Sequence, residues 1–215
     1  MELLNGITHL NHASIRLERE KVMYIDPFKI DGAPHDGDII FCTHDHLDHL
    51  SPKDIKNLMK AETILVVPQK KARKFKKFIK KGEIHDVIGV EPLHEYEAYG
   101  IKFKTVPAYN LEKTYHKRKK NWVGYILYVD DAVYYLAGDT DYIPEMNDIK
   151  ADVAFLPVGG TYTMNAQEAA QAANSIKPKI AVPIHFGSIV GTQKDAETFI
   201  ENLAEGIESK ILLKY

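Results

Sequence analysis

Thr43-His44-Asp45-His46-Leu47-Asp48-His49 carries three histidines and two aspartates in seven residues, directly after the apolar run Ile39-Ile40-Phe41-Cys42. With only ten histidines in 215 residues, chance does not readily place three of them within positions 44–49. Imidazole and carboxylate are the ligands that zinc, iron or manganese accepts. Residues i and i+2 at the end of a strand project to the same side, so His44 and His46 can clasp one ion. Asp48 and His49 follow where the chain turns and can face a second. Ser51-Pro52 then reads as an N-cap and first helical residue, which places the cluster in a strand-to-helix loop. A hydrophilic surface loop would explain the polarity of this stretch, but not its ligand-type spacing.

Two distant segments repeat the arrangement. Val133-Tyr134-Tyr135-Leu136-Ala137-Gly138 is a strand-like run ending at Asp139 in Gly-Asp-Thr-Asp, with Asp141 as a spare carboxylate. Ile180-Ala181-Val182-Pro183-Ile184 ends at His185, with Gly187 just beyond. Each is an apolar, β-branched segment, a metal-capable residue at its C-terminal end, and then a turn. Alone, Asp139 would read as a turn aspartate and His185 as a core histidine. Their shared position after apolar strands, together with the first cluster, makes both of them candidate ligands.

The order of these elements resembles the metallo-β-lactamase-fold hydrolases. Their signature is His-x-His-x-Asp-His, then a lone His, a bridging Asp and a final His. Positions 44–49, Asp139 and His185 match three of the four elements. The resemblance extends to the branch that includes ascorbate-6-phosphate lactonase and N-acyl-phosphatidylethanolamine phospholipase. Its marks here are Asn11-His12-Ala13-Ser14, Asp26-Pro27-Phe28, Pro107-Ala108-Tyr109-Asn110, Trp122-Val123-Gly124-Tyr125 and Thr161-Tyr162-Thr163-Met164. It implies an α/β fold, the four-layer αββα sandwich, with a metal site at one edge of the two sheets. It also implies two divalent ions, Zn2+ first with Mn2+, Fe2+ or Ni2+ as alternatives, and a metal-bound hydroxide that attacks an ester-type bond such as a phosphodiester or lactone. Asp48 would ligate the second ion and orient the hydroxide, Asp139 would bridge, and His185 would complete that side. His44, His46, Asp48, His49, Asp139 and His185 are therefore expected in one binuclear centre, with Asp48 and Asp139 as its catalytic carboxylates. His12 and Tyr109 are expected near the substrate pocket, and Tyr162 and Thr163 could line it.

One element departs from the pattern. The lone histidine of the first metal falls near Asn110, whose amide oxygen is a poorer zinc ligand than imidazole. His116, six residues on, can substitute if the loop folds back, or it can lie solvated in the basic stretch Lys117-Arg118-Lys119-Lys120. With Asn110 as the ligand, one of the two sites would be weak.

Composition narrows the setting. At 45% hydrophobic and 27% charged, 215 residues can bury a full core, and the chain reads as one domain, 1–215. A net charge of −2 gives no global pull toward nucleic acid or an anionic membrane. The lysines of positions 70–81 and 117–120 lack interleaved aromatics on which bases stack, so no stable nucleic-acid complex is expected. A single cysteine, Cys42, excludes an internal disulfide and suits a cytoplasmic enzyme; its apolar setting marks it as core. No signal peptide and no membrane-spanning run is read. The expected partner is a small, anionic substrate; the oligomeric state stays open. A metal-binding sensor or partner-binding protein on the same scaffold is the alternative, and an RNA or DNA nuclease a more distant one.

Periodicity supplies the remaining elements. Strands are expected over Ala13 to Glu18, Val22 to Ile25 and Lys102 to Val106, and a last one over Lys210 to Leu213. Helices are expected over Gln69 to Lys81, Asn165 to Ile176, and from Thr192 until Gly206.

Overall fold

The computed structural model describes residues 2–213, which divide into two compact units, one running as far as Glu91 and the other spanning Pro92–Leu212. Among the described residues there are two mixed sheets and four α-helices, and no helix is long and apolar enough to cross a membrane.

In the first unit six strands lie side by side in chain order: β1 (Ile7–Asn11), β2 (Ser14–Glu18), β3 (Val22–Ile25), β4 (Gly37–Phe41), β5 (Met59–Pro68) and β6 (Asp86–Val90). β1 to β3 form an antiparallel meander, and β3 to β6 are parallel. The parallel strands read as continuous apolar runs because both of their faces are buried: Ile39, Ile40 and Phe41 are each 0% exposed. Helices α1 (Pro52–Leu58) and α2 (Gln69–Lys80) carry the chain back so that each following strand can be parallel. Ser51 starts α1 by accepting the Asp54 N–H at 3.3 Å, with Pro52 in the first turn. α2 turns Ala72 and Phe75 onto Tyr24, Ile40, Leu65 and Val67. Its Arg73, Lys74, Lys76 and Lys77 face solvent, as the amphipathic pattern requires. Lys71 reaches Asp45 at 2.5 Å and so ties this helix to the histidine-rich loop.

The second unit holds β7 (Glu95–Ala98), β8 (Ile101–Pro107), β9 (Val123–Val129), β10 (Ala132–Leu136), β11 (Val153–Pro157), β12 (Ile180–Ile184) and β13 (Glu208–Ser209), in the order β13-β12-β11-β10-β9-β8-β7. β7 to β10 are antiparallel neighbours and β10 to β13 parallel ones. β8 and β10 are each antiparallel to β9, so they run the same way, and β12 runs with them. The loops that follow β8, β10 and β12 therefore leave the sheet at one edge. Helix α3 (Ala166–Ile176) begins at the expected place with a complete capping box, Asn165 with Glu168. Small side chains, Ala169, Ala170 and Ala173, are buried on its inner face.

The C-terminal region departs from the expectation in two places. Helix α4 (Gln193–Glu201) opens at Thr192 as expected but stops before Asn202, well short of Gly206. The cause is Asn174 of α3, whose amide donates to the Asn202 carbonyl at 3.1 Å and accepts the Ala204 N–H at 2.7 Å. These bonds satisfy backbone groups that a longer helix would have used. The last strand is Glu208–Ser209 on β12, not Lys210 to Leu213.

Phe75 is 2% exposed and joins α2 to its sheet. Phe75→Ala is expected to lower unfolding free energy by about 3–5 kcal/mol in urea titrations. A loss below about 1 kcal/mol would show that α2 is not anchored through this ring.

Candidate metal centre

The first unit carries a cluster of ligand-type residues on adjacent strand ends. β3 and β4 are parallel neighbours, with Ile25 opposite Phe41, so the residues just past them meet. Asp26 follows β3. Its carboxylate accepts the Thr43 N–H, the Thr43 hydroxyl and the His49 Nδ1–H, each at 2.7 Å. A carboxylate that accepts from Nδ1 fixes both the tautomer and the ring plane of His49, and leaves Nε2 as the atom that could hold a metal. His49 Nε2 lies 3.5 Å from Asp48 Oδ2, and His12 Nε2 lies 3.7 Å from the same oxygen. Thr43 Oγ1 lies 3.0 Å from His44 Nδ1, so the His44 ring is also held from behind. His44 Nε2 and His46 Nδ1 face each other at 3.1 Å. His44 and His49 are buried, His46 is exposed, and Asp48 is intermediate.

The second unit carries its own cluster at the edge where β8, β10 and β12 end. Asp139 follows β10 and is 3% exposed. His116 Nε2 lies 3.2 Å from its Oδ2, and His185 Nε2 lies 3.2 Å from its Oδ1. One buried carboxylate thus presents each of its oxygens to a different imidazole. His116 is 4% exposed and its ring packs 5.3 Å from Trp122, so it is no solvated histidine of a basic loop. Asn110 is also buried, but it serves loop closure: its Nδ2 donates to the Tyr162 carbonyl at 2.7 Å and its N–H to the His116 carbonyl at 2.8 Å. The structure therefore places His116, not Asn110, beside Asp139. The basic segment after it is anchored by Arg118 on Glu145 at 2.9 Å and Lys120 over the Trp122 ring.

His185 is positioned by glycines. A Cβ on Gly159 would stand 2.6 Å from the His185 carbonyl and 3.1 Å from its Nδ1, and one on Gly191 would stand 3.1 Å from that carbonyl. A side chain at Gly159 would press on the His185 carbonyl and ring, and one at Gly191 on the Phe186 Cβ and the His185 carbonyl. The backbone is strained at the same places. His12, Asp26, His116 and His185 adopt φ of 48°, 48°, 51° and 60°. Such conformations cost of order 1–3 kcal/mol each and persist only where the surroundings impose them.

The donor sets fit divalent cations. Two ligands at about 2.0–2.1 Å from one tetrahedral ion stand about 3.3 Å apart. The ring-nitrogen pair of His44 and His46 and both contacts to Asp139 have that spacing, and all donors are nitrogen or oxygen. Residues that the sequence left without a role prove to be supports. Asp26 holds His49, Thr43 holds His44, and His9 Nε2–H donates to the His12 carbonyl at 2.7 Å. Asp26 showed the same signal as Asp139, an acidic residue after an apolar strand. His9, on a strand that alternates, showed none. Tyr109 is buried, with its hydroxyl on Glu145 at 3.0 Å; burial, and then that bond, raise its pKa. Cys42 is fully buried, and burial pushes its thiol well up, which excludes it as a nucleophile.

Comparison with known proteins shows the family. A sequence profile described as Beta-lactamase superfamily domain matches residues 6–185. A UPF0173 metal-dependent hydrolase of Thermoplasma acidophilum is 32% identical over 210 residues, which cover 93% of this chain and 90% of its own. One from Pyrococcus horikoshii is 30% identical over 220 residues, covering 96% and 95%. A solved structure from Parabacteroides distasonis, described as a candidate metal-dependent hydrolase, superposes with a TM-score of 0.81 at 32% identity, covering 97% of this chain and 93% of that one.

Burial lowers the pKa of His9 to about 4, against the upward pull of its bond to the His12 carbonyl. In the unfolded chain it titrates near 6.5, so between these values the unfolded state binds the proton first. The contribution of neutral His9 is complete above about pH 6.5 and is lost as the pH falls to about 4, amounting to about 3 kcal/mol. His9→Gln should flatten the stability profile over that interval by this amount. Identical pH profiles for the two proteins would contradict it.

Proposed function

We infer function from membership: the chain belongs to the beta-lactamase superfamily and to its UPF0173 metal-dependent hydrolases, and it has the metallo-β-lactamase fold. It is a metal-dependent hydrolase. Beyond that, we propose that it hydrolyses an ester-type bond, a phosphodiester or a lactone, in a small anionic substrate in the cytoplasm. The resemblance to the lactonase and phospholipase branch supports this substrate class. We propose His44, His46, His49 and Asp48 from the first unit, and His116, Asp139 and His185 from the second, as ligands of two divalent ions, zinc foremost. The observation that carries the reading is the buried carboxylate of Asp139 with an imidazole nitrogen 3.2 Å from each oxygen.

When bound, such ions make a water nucleophilic at neutral pH and polarise the carbonyl or phosphoryl oxygen under attack. The protein then has to place the water, take its proton and protonate the leaving group. Asp48, whose side chain is 19% exposed against 3% for Asp139, is the carboxylate open to an incoming water. It accepts the hydrogen bond of that water and fixes its approach. His12, with Nε2 3.7 Å from the same oxygen and no exposure of its own, relays the released proton to the departing oxygen. Asp26 and Thr43 keep the imidazoles of His49 and His44 in the ligating orientation.

Purified protein should therefore carry zinc, lose turnover of a phosphodiester or lactone to a chelator, and regain it on zinc addition. Asp48→Asn should lower kcat by about 10²–10⁴-fold while leaving the fold intact by circular dichroism. Tightly held metal with no turnover across phosphodiester, lactone and thioester substrates would overturn the catalytic reading in favour of a metal-binding sensor.

A further inference from the structure

His116 reaches Asp139 from the end of a loop, residues 110–116, that has no regular secondary structure, so something must hold that loop in place. Residues 108–122 join β8 to β9. The base is closed by the Ala108 N–H on the Trp122 carbonyl at 3.0 Å, and an inner loop by the Asn110 N–H on the His116 carbonyl at 2.8 Å. Within that inner loop Leu111, Glu112, Thr114 and Tyr115 face solvent, and only its closing residue His116 is driven back into the protein, with φ 51°. A solvated loop of this kind has many alternatives to such a conformation.

Lys113 is the exception among the exposed residues. Its Nζ donates to Asp141 Oδ1, and also to the Thr163 carbonyl at 2.8 Å. The other oxygen of Asp141 accepts the Leu111 N–H at 2.9 Å. Asp141 lies two residues beyond Asp139 in the same Gly-Asp-Thr-Asp turn, is 8% exposed, and sends its own N–H to the Tyr109 carbonyl at 3.1 Å. Thr140, between the two aspartates, donates to that carbonyl at 3.0 Å. The turn thus divides its work: Asp139 faces the imidazoles, and Thr140 and Asp141 grip the loop that delivers one of them. Of these grips Lys113 is the charged side chain that pairs with a charge, and it also reaches the segment before α3, beside the Asn110 amide on the Tyr162 carbonyl and the Tyr115 ring against Tyr162. Lys117 Nζ in turn donates to the Lys113 carbonyl at 2.8 Å and extends the clamp past His116.

The geometry points to Lys113 as a positioning residue for the metal centre: clamped on Asp141 and Thr163, it fixes the 110–116 loop so that His116 stays beside Asp139. The inference rests on His116 being a metal ligand, as proposed above. It assigns the Asp141 carboxylate a role in shaping the site without touching metal. Lysine suits the task because one ammonium has several donors and can serve a carboxylate and a carbonyl together.

The test measures zinc affinity by competition with a chromophoric chelator, and the visible spectrum of the cobalt-loaded protein, which reports ligand geometry. Both are recorded for wild type, Lys113→Met, Asp141→Asn, Lys113→Arg, His116→Ala and the Lys113→Met/His116→Ala double variant. Lys113→Met is expected to weaken zinc binding about 10–100-fold, the range for residues that orient ligands, and to alter the cobalt spectrum. Lys113→Arg should restore most of both, because it keeps a charged donor. Asp141→Asn, which retains the side-chain volume, should reproduce the Lys113→Met effect should that variant fold poorly. In the His116→Ala background the further loss from Lys113→Met should vanish, since the lysine acts through the histidine. Unchanged affinity and spectrum in Lys113→Met and Asp141→Asn, or an equal loss with and without His116, would overturn the inference while leaving the metal centre standing. Failure of the wild type to bind zinc or cobalt would overturn the metal reading first, and this one with it.

Discussion

A carboxylate buried at 3% exposure is tolerated only when its charge is answered, and Asp139 stands with an imidazole nitrogen 3.2 Å from each oxygen, the spacing of ligands that share a cation. An ionised carboxylate left alone in the interior would cost several kcal/mol. Around this group much of the second unit takes its form. β10 delivers Asp139, β12 delivers His185, and the long β8–β9 connection delivers His116. All three leave the sheet at one edge because β8, β10 and β12 run in the same direction. Glycines at 159 and 191 make room for His185, and the Thr140–Asp141 pair ties down the loop of His116.

The first unit solves the same problem with different means. There the ligand-type residues lie in a single loop, and the acid that disciplines them, Asp26, comes from the neighbouring strand. It spends both oxygens on fixing Thr43 and His49. His12 and Asp26 here, like His116 and His185 in the second unit, hold left-handed backbone conformations. Strain of that kind is a reservoir that the rest of the fold maintains, and it collects where side chains must be aimed without choice. The packed face of α1 and α2 on Tyr24, Ile40 and Leu65 supplies the rigidity against which Asp26 and the histidine loop are set.

How much of this was legible in the sequence depended on whether the signal was local. The histidine-rich loop, the strand ends at Asp139 and His185, the Ser51-Pro52 helix start and the α2 face were all legible, because periodicity and capping are short-range patterns. Asn110 and His116 could not be told apart in advance. The difference lies in the long-range bond of the Asn110 amide to the Tyr162 carbonyl and in the burial of the His116 ring against Trp122. The early end of α4 was hidden for the same reason, since Asn174, nearly thirty residues away, takes the backbone groups that a longer helix would need. Lys113 carries no local signal of its own, and its role depends on an aspartate that the sequence offered only as a spare.

Divalent metal held by imidazole and carboxylate alone has a distinct signature in X-ray absorption at the zinc edge of the purified protein. The expected spectrum has a shell of nitrogen and oxygen at about 2.0–2.2 Å with the outer-ring scattering of several imidazoles, and no sulfur at about 2.3 Å, since Cys42 is buried just after β4. A sulfur shell, or a hydrated ion without imidazole scattering, would contradict it.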